Sequence, residues 1–104
     1  MKIALNKCYG GFGVSRAVFE ALGKEWDGYG HLGNEDFGIE GSLSTDYNAF
    51  RVHPDLIAAI EAVGVEKASG KLSLVVIVDI PDGMSWVIDD YDGMETVHER
   101  NRSW

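Results

Sequence analysis

The residues of this chain best placed for chemistry sit where a strand should meet a helix, at Gly11-Phe12-Gly13-Val14-Ser15-Arg16. A dinucleotide fingerprint occupies that place in a βαβ unit, its glycines letting the backbone approach a pyrophosphate. Here Arg16 stands where the third glycine belongs, and 104 residues leave no room for repeated βαβ units. Dinucleotide binding is therefore not expected. A simpler anion site survives, in which the backbone of Gly10, Gly11, Gly13 and Ser15 faces a phosphate or carboxylate with Lys7 and Arg16 nearby. The competing reading is that these glycines only permit a tight turn.

Three other constellations invite a chemical reading. Counting from Ile88 puts Asp90, Asp92, Gly93 and Glu99 at positions three, five, six and twelve of a calcium loop, but position one is not an aspartate and the flanks read as strands. A hairpin turn at Asp92-Gly93 is the better expectation. Cys8 would be a nucleophile only with His31, His53 or His98 beside it as a base, and a lone cysteine at a strand end reads as a small core residue. The three histidines lack ligand spacing, so no metal and no cofactor is expected. Arg100 and Arg102 share a face of an extended segment that ends at Trp104, which suits a carboxylate, a phosphate or a stacked base. They are equally suited to pairing with the chain's own acids.

Those acids are the dominant feature. Seventeen Asp and Glu against nine Lys and Arg give a net charge of -8. Between Asp79 and Glu95 there are six carboxylates, Asp79, Asp82, Asp89, Asp90, Asp92 and Glu95, and no Lys or Arg. Such a surface repels phosphate backbones and anionic membranes, so neither direct nucleic-acid binding nor membrane binding is expected. It favours a basic groove on another protein. The plainer reading is that the charge keeps a small protein in solution.

These residues need elements to position them. With 45% hydrophobic and 25% charged residues the composition is that of an ordinary globular chain, and its length predicts one domain spanning residues 1–104. Lys2 to Cys8 alternates as a strand. Ser15 caps a helix from Arg16 to about Trp26, with Val18, Leu22 and Trp26 on one stripe beside Phe19. Residues 27–50 carry five glycines from Gly28 to Gly41 and the acids Asp27, Glu35, Asp36, Glu40 and Asp46, which predicts a long loop with one short strand near Phe37 to Leu43. Its functional version is an interaction loop or lid, with Tyr29, Phe37 and Tyr47 as contacts, and the competing reading is a mobile connection.

Pro54, Asp55, the apolar Leu56, Ile57, Ile60 and Val63, and Gly64 spell a complete helix, which His53 introduces. Lys71 to Ile80 is a β-branched strand apolar on both faces, hence covered on both. Trp86 and Ile88 share a face of the next strand, and Met94, Thr96 and His98 a face of the last. The prediction is an α+β fold, two helices on an antiparallel or mixed sheet of about four strands ending in a three-strand meander. One cysteine rules out an internal disulfide, and the short apolar stretch after Lys2 does not resemble a signal peptide, which points to a reducing cytosol.

The opening Lys-Ile-x-Leu-Asn-Lys-Cys-Tyr-Gly-Gly-Phe (Lys2 to Phe12) and the ending Ile-Pro-Asp, Asp-Tyr-Asp-Gly-x-Glu and Arg-x-Trp (Ile80 to Trp104) resemble a group of small proteins of tailed bacteriophages and prophages. With the helix from Pro54 the resemblance covers about half the chain. It implies a phage origin and action in the cytosol of a host cell. The expected function is non-enzymatic: inhibition of a host defence or nucleic-acid-handling complex, as anti-CRISPR proteins do, through Asp79, Asp82, Asp89, Asp90, Asp92 and Glu95 joined by Glu35, Asp36 and Glu40. The alternative is a binder that sequesters a nucleotide or signalling anion with Lys7, Gly10, Gly11, Gly13, Ser15, Arg16, Arg100, Arg102 and Trp104. Homo-oligomerisation is compatible with either.

Overall fold

The computed structural model describes residues 1–39 and 48–100 and has an α+β architecture. Strands β1 (Lys2–Asn6) and β2 (Val75–Asp79) pair antiparallel, with Ala4 opposite Ile77. Strands β3 (Trp86–Tyr91) and β4 (Met94–Glu99) form a second antiparallel pair, with Ile88 opposite Val97. Helices α1 (Arg16–Leu22), α2 (Pro54–Val63) and α3 (Val65–Ala68) complete the regular elements, with 3-10 turns at Asn34–Phe37 and Ala49–Val52.

The β1–β2 ladder is the middle layer. Ala4, Val75 and Ile77 point to one side, where Val18, Phe19, Leu56, Ile60 and Ala68 of the helices close the larger core. Ile3, Leu5, Val76, Val78 and Ile80 point to the other, where Trp86, Ile88 and Val97 of the hairpin cover them. Alternation along a strand thus feeds two cores from one segment. The two-sided apolar pattern of residues 75–80 is accounted for by this sandwiching.

Helix α2 forms where its signals lie. His53 takes the extended conformation that a residue before proline prefers, and its Nδ1 accepts a hydrogen bond from the Asp55 amide at 3.1 Å. Gly64, at φ 86°, ends the helix. Helix α1 is shorter than its stripe predicts. Gly23 adopts the left-handed conformation at φ 73° and its amide closes on the last turn, stopping the helix at Leu22. Trp26 still packs, edge-on to Phe19 with ring centroids 5.1 Å apart.

Two further expectations are corrected. Strand β2 starts at Val75, because Ser73 Oγ bonds Gly70 and Gly13 and the Leu74 amide donates to Asn6 Oδ1 at 2.9 Å. Leu72 consequently lies in a turn and is 70% exposed. The three-strand meander does not form. Past Ile80, which bonds Met1, the Pro81-Asp82-Gly83 turn carries the chain over the face of the ladder, so the β3–β4 hairpin covers that face instead of adding β3 beside β2. The short strand expected near Phe37 to Leu43 is absent as far as residue 39, where Phe37 belongs to a 3-10 turn, and the remainder of that span is outside the described residues. No helix among the described residues is long and apolar enough to cross a membrane.

Candidate functional site: an anchored acidic hairpin beside a glycine-walled cleft

Asp92 and Gly93 both take positive φ, 51° and 94°, between the paired residues Tyr91 and Met94. That is the two-residue hairpin loop whose twist suits the flanking strands, the geometry that an Asp-Gly pair favours. The calcium reading of residues 88–99 gives way to it. Asp90 Oδ1 accepts from the Gly93 amide at 2.6 Å and so serves the turn.

The turn is fastened to β1. Asn6 is fully buried, and its Nδ2 donates to Gly93 O at 2.5 Å and to Cys8 O at 2.6 Å. The Gly10 amide donates to Asp92 O, and Lys7 Nζ to Glu95 O at 2.7 Å. Beneath these bonds lies a buried ion pair that sequence reading missed. Arg51 Nη1 and Nη2 donate to Glu95 Oε1 and Oε2 at 2.7 and 2.8 Å, and the Asn6 amide adds a third bond to Oε1 at 2.8 Å. The guanidinium lies 3.8 Å from the Phe12 ring centroid and 5.2 Å from that of Phe50. Its Nη1 also reaches Ala4 O, leaving Nε as its one buried nitrogen without a partner among the described residues. A forked, doubly stacked pair of this kind positions more than it stabilises, because desolvation offsets most of the attraction.

The six carboxylates of residues 79–95 therefore separate. Glu95 is 3% exposed and committed to Arg51, so its assignment to a partner-binding surface is corrected. Asp79 lies opposite Lys2, whose ammonium is held above its ordinary pKa by a 2.6 Å bond to Glu61 and secondarily by the charges of Glu61 and Asp79. Asp82 bonds the terminal amine, which holds its carboxyl below the ordinary value. Both lie at the Lys2 end of β1, about 13 Å along the strand from Asn6 and the hairpin turn. Asp89, Asp90 and Asp92 are exposed together at the turn, with Asp89 2.7 Å from His98 Nε2.

Glu35 is exposed on the 3-10 turn at 34–37, whereas Asp36 is drawn inward by the Gly33 amide at 2.8 Å and Lys24 at 3.9 Å. Neither is joined to the hairpin by a hydrogen bond or ion pair among the described residues. Glu40, Asp46 and Tyr47 lie outside the described residues, as do Arg102 and Trp104.

The anion site expected at the glycine turn is not assembled as proposed. The Val14 amide donates to Gly30 O, the Ser15 amide to Ala68 O and the Ser15 hydroxyl to Lys67 O, so these donors are spent. Lys7 serves Glu95, and Arg16 pairs with Glu20 at 3.4 Å on the exposed face of α1. Arg100 sits at the open end of the hairpin, where its amide bonds Ser85 O and its Nη2 bonds Trp86 O, roughly 20 Å of strand from Gly93. Cys8 is half-buried with its thiol toward Tyr9 O, and His31, His53 and His98 are dispersed. No group of three His, Cys, Asp or Glu able to hold a metal occurs among the described residues.

Gly10, Gly11 and Gly13 instead form one wall of an open cleft of about 240 Å³, whose other walls are segments 28–31 and 70–73. Tyr29 and His31 stack there at 5.9 Å, and Asp27 holds their loop by accepting from the amides of Tyr29, Gly30 and His31. Chiefly through the Gly30 bond, its carboxyl is held below the ordinary value. Large apolar side chains face outward at Tyr9, Leu72, Leu74 and Tyr91, which are 59, 70, 47 and 73% exposed, and Leu72 abuts Gly10. Comparison with family models, with curated proteins and with solved structures returns no match.

Proposed function

We propose that this protein is a non-enzymatic binding protein of phage type that blocks a host defence or nucleic-acid-handling complex by presenting its β3–β4 turn to a basic groove. The observation that carries the reading is the run Asp89-Asp90-Tyr91-Asp92, exposed at every position and held by a turn that is bonded to β1 from beneath. Acidic side chains on a fixed support meet a basic groove with little further ordering, which raises affinity and steers encounter. Tyr91, with Tyr9 and Leu72 beside Gly10, supplies the exposed apolar centre that such a contact needs, since patches of this kind mark interaction surfaces. An acidic tip rimming an aromatic centre imitates a phosphate backbone carrying bases. Glu95 takes no part in the contact; it keeps the tip in place.

The test is affinity capture from host cells with two baits, the wild type and the triple variant Asp89→Asn, Asp90→Asn, Asp92→Asn. The account expects a partner with a basic groove on the first bait and its loss on the second. Equal recovery of that partner on both baits would remove the hairpin from the interaction.

A further inference from the structure

We infer that the cleft between segments 10–13, 28–31 and 70–73 binds a mononucleotide-sized anion with a flat ring, the ring lying on Tyr29 and the anionic group meeting Lys71. The cleft is built by close backbone approaches, which at Gly10 and Gly30 leave no room for a side chain. A side chain at Gly10 would collide with Leu72 O at 2.5 Å, one at Gly70 would press on Gly13 O at 3.2 Å, and one at Gly30 would strike Val14. Gly11 and Gly28 differ, since a Cβ at either would meet nothing within 4 Å. Backbone contacts thus hold the walls while two positions are left bare. Ser73 Oγ on Gly13 and Gly70, Val14 on Gly30, and Asp27 on its three amides fix all three walls before any ligand arrives.

The charge of this hollow runs against the rest of the molecule. Of its eleven lining residues, one is Lys71, one is His31 and none is Asp or Glu, in a chain with seventeen acids. Lys71 makes no ion pair among the described residues. Asp27, the acid adjoining one wall, already carries three amide bonds. Tyr29 is 77% exposed and backed by the His31 ring, which leaves a flat surface at the cleft mouth. Stacking on such a surface accepts any base, and a nearby ammonium selects for a phosphate or carboxylate. The cleft, about 240 Å³ and open at its mouth, is too small for a dinucleotide, and a mononucleotide would fill it with part of the ring outside on Tyr29.

Titration calorimetry with AMP, GMP, CMP, UMP, adenosine and inorganic phosphate tests the inference. At least one nucleoside monophosphate should bind at one per chain, with adenosine and phosphate each at least tenfold weaker. Tyr29→Ala and Lys71→Gln, both at exposed positions, should each weaken that binding about tenfold without moving the melting temperature of the free protein. The triple hairpin variant should bind it as the wild type does, which separates this site from the proposed partner surface. No heat from any of the four nucleotides would overturn the inference. So would phosphate binding as tightly as a nucleotide, or either single variant binding unchanged.

Discussion

The two faces of the β3–β4 hairpin use the same residue types to opposite ends. The inward face carries Trp86, Ile88, Asp90, Glu95, Val97 and Glu99, and its apolar members close the second core while Glu95 is sealed against Arg51. The outward face carries Val87, Asp89, Tyr91, Met94, Thr96 and His98, and its acid and aromatic side chains stand in solvent near the turn. A carboxylate two residues from another along one strand faces the same way, whereas one an odd number away faces the other. Parity alone does not sort the acids: Asp90 and Glu99 share the face of Glu95 yet are exposed, and only Glu95, which meets Arg51, is sealed. A run of negative charge in a sequence is not a patch until the acid that meets a buried cation is set apart from those that reach solvent.

The largest effect expected from breaking this division is at Glu95. Glu95→Ala leaves the Arg51 guanidinium buried without its carboxylate and should cost about 3–5 kcal/mol in a urea melt. A loss below about 1 kcal/mol would mean that the pair is solvated. Ile88→Ala on the same face removes half-buried apolar surface and should cost about 1–2 kcal/mol, read from the same melts. At the exposed turn, Asp89→Asn, Asp90→Asn and Asp92→Asn should each change stability by less than about 0.5 kcal/mol, because each keeps its shape and the acceptor that Asp90 offers Gly93.

The smallest effect is a titration away from the hairpin. Asp27 has a folded pKa below its ordinary value, so its contribution to stability is complete above the ordinary aspartate range and is lost as pH falls through the folded value. Its carboxyl resonance should titrate below the ordinary 3.8, and the Gly30 amide should shift with it. A midpoint at or above 3.8 would show that the loop does not keep those bonds.

Much of the fold was legible because its signals are local. Pro54 and Gly64 bound α2, Asp92-Gly93 makes its turn, and the double-faced apolar run at 75–80 announces a covered strand. What failed was non-local or decided by a single residue. Gly23 ended α1 where the apolar stripe continued to Trp26, and strand stacking replaced strand pairing after Pro81. The Arg51–Glu95 pair joins positions 44 apart, yet two signs of it were present: Arg51 sits between Phe50 and Val52, and Glu95 has the parity of Val97. The cleft was half legible. Its glycine wall was singled out, but Tyr29, His31 and Lys71 come from segments that only the fold brings to it.

The account depends on the exposed acids of the turn, Asp89, Asp90 and Asp92, attracting a positively charged counterpart. The direct measurement is affinity for the captured partner as ionic strength rises from about 0.1 M to about 1 M, which shortens the Debye length from ~10 Å to ~3 Å. The wild type should weaken steeply over that range, and the Asp89→Asn, Asp90→Asn, Asp92→Asn variant should bind weakly with a nearly flat dependence. An affinity indifferent to salt, or a variant whose salt response equals that of the wild type, would contradict it.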